Sequence, residues 1–105
     1  MRKLRLEITL HDISRYKQRV EDDPNRYELT DGQISRRIRK SLSYIEDIEM
    51  LPRLGDYHVG EAHFPVRGGL TRSYFCVLAR DRLKIKEWRV ITILTQEMYG
   101  QGLTS

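Results

Sequence analysis

Leu4-Arg5-Leu6-Glu7-Ile8-Thr9-Leu10-His11-Asp12-Ile13-Ser14-Arg15-Tyr16-Lys17-Gln18-Arg19-Val20 carries two periods in one uninterrupted run. Over residues 4–10 apolar and polar side chains alternate, the pattern of a strand buried on one face. From residue 11 to residue 20 the period changes, and Ile13, Tyr16 and Val20 recur at three- and four-residue spacing, as on a helix. A strand that passes directly into a helix is therefore the expected opening. Neither element can bury its apolar face alone, so both need a layer supplied from further along the chain.

The next signals describe that layer. Turn formers gather around Pro24 in residues 21–26, which reads as a loop. Thr30-Asp31-Gly32-Gln33 fits a capping box, with a hydroxyl at the N-cap and an amide three residues on. Ile34, Ile38, Leu42, Ile45 and Ile48 then form one apolar stripe of a second, longer helix, which Pro52 and Gly55 bring to an end. Strand-like segments follow at residues 56–66, 71–79 and 85–95, joined by turns at 67–70 and 80–84. Connections this short imply an antiparallel meander, because parallel neighbours require long crossovers. On the last strand Trp88, Val90 and Leu94 are assigned to one face and Ile91 and Ile93 to the other, so burial on both sides is expected. Residues 100–105 read as a frayed tail. The fold class is α+β, an N-terminal strand and two helices packed on an antiparallel sheet, in a single domain over residues 1–105.

Composition agrees with one polar globular domain. The chain has 105 residues, 39% apolar and 32% charged, enough for one core and too few for two. Its single cysteine, Cys76, lies among apolar residues and has no intramolecular partner, which fits a reducing, cytoplasmic setting. The N-terminus is basic but lacks the apolar run of a signal peptide, and no stretch approaches a membrane span. A net charge of +4 with a pI near 9.4 favours polyanionic partners, nucleic acid foremost.

One constellation points to chemistry. His11, Arg15 and Arg19 are spaced four apart and form a stripe along one side of the first helix, flanking its buried face. Two guanidiniums can clamp phosphate oxygens, and an imidazole moves protons near neutral pH. The plainer reading is a solvated helix face.

Residues 8–19, Ile-Thr-Leu-His-Asp-Ile-Ser-Arg-Tyr-Lys-Gln-Arg, together with the closing strand Arg89-Val90-Ile91-Thr92-Ile93-Leu94-Thr95, resemble a family of small bacterial proteins of uncharacterised function. That family is similar in layout to the RelE, colicin D and barnase group of metal-independent ribonucleases, whose active site lies on the exposed face of an antiparallel sheet. The resemblance weakens in the middle of the chain, where the second helix is longer and more basic, and Val20 stands where a glycine is common. It implies attack of an RNA 2′-hydroxyl on the adjacent phosphodiester, with no metal and no cofactor. His11 is then the acid or base, Arg15 and Arg19 hold the phosphate, and Thr95 helps orient it. A second proton-transfer group is required, for which His58, His63, Tyr74 and Tyr99 are all eligible.

Other residues divide between function and packing. His58 and His63 are five apart on a strand, hence on opposite faces, and cannot share a metal. Arg36, Arg39 and Lys40 oppose the isoleucine stripe of the second helix, as a phosphate-tracking surface or as plain solvent cover, with Glu46, Asp47 and Glu49 expected at that helix's end to offset their field. Arg67, Arg72 and Tyr74 flank the first hairpin in a mixture that permits phosphate contact beside base stacking, although strand aromatics more often join the core. The leading functional expectation is an endoribonuclease of toxin type with RNA as substrate and an antitoxin as a possible protein partner. The alternatives are a non-catalytic module that binds nucleic acid or inhibits a protein, and an assembly component that pairs edge strands.

Overall fold

The computed structural model describes residues 5–21, 23–65, 67–80 and 88–102, with Arg67 described by its backbone alone. Among them the order is β1 (Leu6–Glu7), α1 (Leu10–Arg19), α2 (Asp31–Ser41), a 3-10 turn at Ile48–Met50, β2 (Arg53–Leu54), β3 (Tyr57–Pro65), a second 3-10 turn at Arg67–Gly69, β4 (Thr71–Arg80), β5 (Trp88–Leu94) and α3 (Gln96–Gly100). The five strands form one sheet in the order β1-β5-β4-β3-β2. The α+β arrangement is the expected one, and β3, β4 and β5 are the antiparallel meander. β1 departs from it: Leu6 and Glu7 pair in parallel with Trp88 and Arg89, so the sheet is mixed. The intervening helices supply the long crossover that a parallel pair requires. The expected strand over residues 4–10 shrinks to two paired residues, because Thr9 leaves the strand to cap α1.

Both helices begin at a threonine. Thr9 accepts from the Asp12 amide while the Asp12 carboxylate accepts from the Thr9 amide and hydroxyl. Thr30 and Gln33 make the same reciprocal pair at the start of α2. These satisfy donors that a helix start leaves open. α1 and α2 lie on one face of the sheet, where Ile13, Tyr16, Val20, Ile34, Ile38 and Leu42 meet Ala62, Phe64, Cys76, Leu78, Val90 and Ile93. Tyr16 packs edge-on against Phe64 with ring centroids 5.0 Å apart. Cys76 is fully buried as a small apolar residue, and burial raises its thiol well above the ordinary value.

Three expectations are corrected. α2 stops at Ser41 instead of running to residue 48. The Ser41 and Ser43 hydroxyls donate to the Ile38 and Lys40 carbonyls, and the Leu42 amide turns to Arg39, which closes the helix in a tighter turn. Ile45 and Ile48 still reach the core, but from the connection after the helix. Leu42 and Ile45 close over Gly60, where a Cβ would stand 2.9 Å from the Ile45 Cδ1. The second correction concerns β5. Val77 pairs with Thr92 and Leu78 with Val90, so Ile91 is an extra residue that flips the strand's faces. Ile93 therefore joins Trp88 and Val90 in the helix-covered core, while Thr92 and Leu94 turn to the opposite face with Val77. Third, Gly100 ends a short helix: the Thr95 hydroxyl accepts from the Met98 amide to start α3, and Tyr99 stacks on Phe75 at 4.2 Å. The expected start of the first strand at Leu4, the turn over residues 81–84, the first part of the last strand at residues 85–87 and the tail over residues 103–105 lie outside the described residues.

The first hairpin turn uses the freedom of glycine, since Gly68 and Gly69 both have positive φ. No helix among the described residues is long and apolar enough to cross a membrane.

Candidate functional site

α1 carries the His11, Arg15 and Arg19 stripe, and its three members sit in different surroundings. Eight residues at about 1.5 Å each separate His11 from Arg19 by about 12 Å along the axis. His11 is exposed on the first turn. Arg15 is half-buried, donating from Nη1 to the Gln18 Oε1 at 2.8 Å, while its buried Nε has no hydrogen-bond partner. Arg19 crosses to the sheet. Its Nη1 donates to the Ile93 carbonyl at 2.7 Å and the Thr92 hydroxyl at 3.2 Å. β1 pairs only as far as Arg89, so among the described residues no strand borders the later part of β5 on that side, and the guanidinium serves its carbonyl instead. Burial, aided by the neighbouring Arg15 charge, pulls the Arg19 guanidinium below its ordinary value.

Beyond Arg19 the end of α1, the start of β4 and the start of α3 enclose a cleft of about 580 Å³. Arg19, Arg72, Tyr74 and Thr95 line it among the residues singled out from sequence; Gln18, Glu21, Ser73, Gln96 and Glu97 complete the wall. Two arginines and two glutamates thus border one opening. His11 and Arg15 are not in its lining. Thr95 is committed to capping α3 while it lines the cleft. Tyr74 is 3% exposed and tilts against Phe64 at 5.6 Å, so its ring belongs to the core and offers no open face to a base.

The eligible second proton carriers also separate. His58 is buried, with Nδ1 3.2 Å from the Leu51 carbonyl and its ring edge-on to Trp88. Tyr99 is stacked on Phe75. His63 is exposed across the β3–β4 pair, and its Nδ1 lies 3.3 Å from the hydroxyl of Ser73, a residue of the cleft wall. His58 and His63 do face opposite sides of the sheet, and no group of three or more His, Cys, Asp or Glu among the described residues is placed to hold a metal.

Arg36, Arg39 and Lys40 are exposed on the outer side of α2, away from the cleft. The fourth cation of that run behaves differently. Arg37 donates to the Asp23 carboxylate at 2.7 Å and the Tyr16 hydroxyl at 3.2 Å, and Tyr16 donates to Asp23 at 2.6 Å. This triad, with Tyr16 and Asp23 buried and Arg37 half-buried, ties α1, the loop after it and α2 together. Burial and the Asp23 carboxylate hold the Tyr16 hydroxyl far above its ordinary value. The Arg67 side chain lies outside the described residues.

Glu21 and Glu97 are the residues that sequence reading missed. Glu21 was hidden in a run of turn formers, whereas Glu97 had a local signal, since Thr95 followed by Gln96 and Glu97 is a helix start with an acid in its first turn. Comparison with known protein families, curated proteins and solved structures finds no match for this chain, so its site is read from its own residues.

Proposed function

We propose that the protein is a metal-independent endoribonuclease of toxin type whose chemistry takes place in the Arg19 and Arg72 cleft. The observation that carries this reading is the mixed lining, two arginines with Glu21 and Glu97 in one opening. A surface that only binds polyanions gains nothing from carboxylates, which repel phosphate. Phosphodiester transfer needs both kinds of group. In this reading the 2′-hydroxyl of RNA attacks the adjacent phosphorus and gives its proton to a carboxylate of the cleft. The bond to the 5′-oxygen breaks, and the leaving oxygen takes a proton from His63 through the Ser73 hydroxyl. The products are a 2′,3′-cyclic phosphate and a 5′-hydroxyl. Arg19 and Arg72 stabilise charge on the phosphoryl oxygens, and the bonds of Arg19 to β5 fix its guanidinium before substrate arrives.

The test is incubation of the purified chain with mixed RNA in excess chelator. Cleavage is expected, with Glu97→Gln or His63→Ala slowing it about 100-fold or more and His11→Ala leaving the rate close to the parent's. Intact RNA defeats the proposal, and a collapse in His11→Ala alone moves the chemistry to the first turn of α1. A second reading, a non-catalytic module that binds nucleic acid or inhibits a protein partner, draws support from Arg19, whose guanidinium already serves the sheet.

A further inference from the structure

Several basic residues of the described chain contrast in how they are used. Arg26 donates to three backbone carbonyls, Arg37 to Asp23 and Tyr16, Arg80 to Glu49, and Arg19 to β5. These guanidiniums hold the fold together. Arg36, Arg39 and Lys40 make no hydrogen bond or ion pair with any described residue, and all three are exposed on one side of α2 at i, i+3 and i+4. Had α2 continued to residue 48, Glu46 and Asp47 would have followed on the same helix and weakened the field of these cations. The helix instead ends at Ser41, so Glu46 and Asp47 do not continue its cationic side; Asp47 caps the following turn by accepting from the Glu49 amide, and Glu49 pairs with Arg80 of β4. The helix dipole favours Arg39 and Lys40 in the last turn, but Arg36 lies a turn earlier and gains little from it. Three unneutralised cations on a rigid helical side match the regularly spaced charges of a nucleic-acid strand.

We infer that the outer side of α2 grips the phosphate backbone of RNA through Arg36, Arg39 and Lys40, as a binding surface separate from the cleft. The choice of RNA as the polyanion rests on the function proposed above. The surface acts through charge and reads no sequence: Gln33, the amide that shares this side of α2, has its Oε1 engaged by the Thr30 amide in the capping box.

The experiment measures binding of the full chain to a 2′-O-methyl RNA strand of about 20 nucleotides, which has no free 2′-hydroxyl and, at about 3.4 Å per nucleotide, exceeds the 38 Å long axis of the protein. Affinity is followed from about 50 to about 200 mM salt. Each phosphate contact contributes about 0.7 to the log–log slope for a single strand, so the combined Arg36→Gln, Arg39→Gln, Lys40→Gln variant is expected to lower the slope by about 2. Its thermal midpoint and its cleavage of a dinucleotide should match the parent's. An unchanged slope in a folded variant overturns the inference, as does tighter binding of the parent to phosphatidylserine vesicles than to the RNA strand. A lower slope in a protein that cleaves nothing leaves the α2 surface standing and removes the nuclease; cleavage with an unchanged slope does the reverse.

Discussion

α1 and α2 are nearly matched as local structures. Each starts at a threonine with a complete capping box, each presents one apolar stripe to the sheet, and each has basic residues in its last turn. They handle charge in opposite ways. α1 lies along β5, whose outer side is uncovered once β1 has ended, and its polar side chains are recruited inward: Asp12 is buried, Arg15 is half-buried and Arg19 bonds to the sheet. α2 lies over β3, and three of its cations stay in water, Arg37 alone being drawn into an ion pair with the buried Asp23. A basic residue on a helix is therefore structural or available according to whether an acceptor is left open beside it, a β5 carbonyl for Arg19 and the Asp23 carboxylate for Arg37.

Three perturbations break or sharpen this contrast. The largest effect belongs to what the helices share, their apolar stripe: Ile38→Ala should destabilise the chain by about 2–5 kcal/mol in urea unfolding, since Ile38 is fully buried. A loss under about 1 kcal/mol would mean that α2 adds little to the core. Next comes the difference in charge use. Arg19→Ala removes charged donors from the Ile93 carbonyl and the Thr92 hydroxyl and should cost about 1.5–3 kcal/mol, whereas Arg39→Ala should stay within about 0.5 kcal/mol. Equal losses at the two positions would erase the distinction.

The smallest effect concerns the buried acid of α1. Burial lifts the Asp12 carboxyl above its ordinary 3.8, against the opposing pull of the Thr9 amide and hydroxyl. The folded state then takes up this proton at a higher pH than the unfolded state does. Its contribution to stability is complete below the unfolded value and is lost as pH rises through the folded one. The parent should therefore gain stability relative to Asp12→Asn as pH falls from neutrality towards 3.8. A difference that is flat with pH would mean that Asp12 titrates as if exposed.

The legible parts of the chain were those with a local cause. The switch of period near residue 10, the Thr30 cap and the turn at Gly68-Gly69 depend on neighbours within four residues, and the structure has each of them, whereas Thr9, read as part of the strand, caps α1. The expected α2 was too long because an apolar stripe reports which residues are buried, and Ile45 and Ile48 are buried without being helical. The face error on β5 has the same origin: alternation assumes an uninterrupted ladder, and one extra residue at Ile91 reverses it. The candidate site was half visible. Arg19, Arg72 and Thr95 meet at one cleft, while Glu21, Ser73 and Glu97 join them from segments whose sequence signals concern turns, pairing and capping.

Alternation, helical spacing and capping chemistry act over a few residues, so the sequence alone determined the α+β class, the start of α2 and most apolar residues of the core. The parallel pairing of β1 with β5 and the turning of Arg19 onto an uncovered strand depend on contacts between residues more than seventy positions apart, and the gathering of arginines and glutamates at one cleft joins three separate segments of the chain. Those contacts follow from which backbone groups and charges are left without partners once the sheet has formed. Only the folded chain decides that.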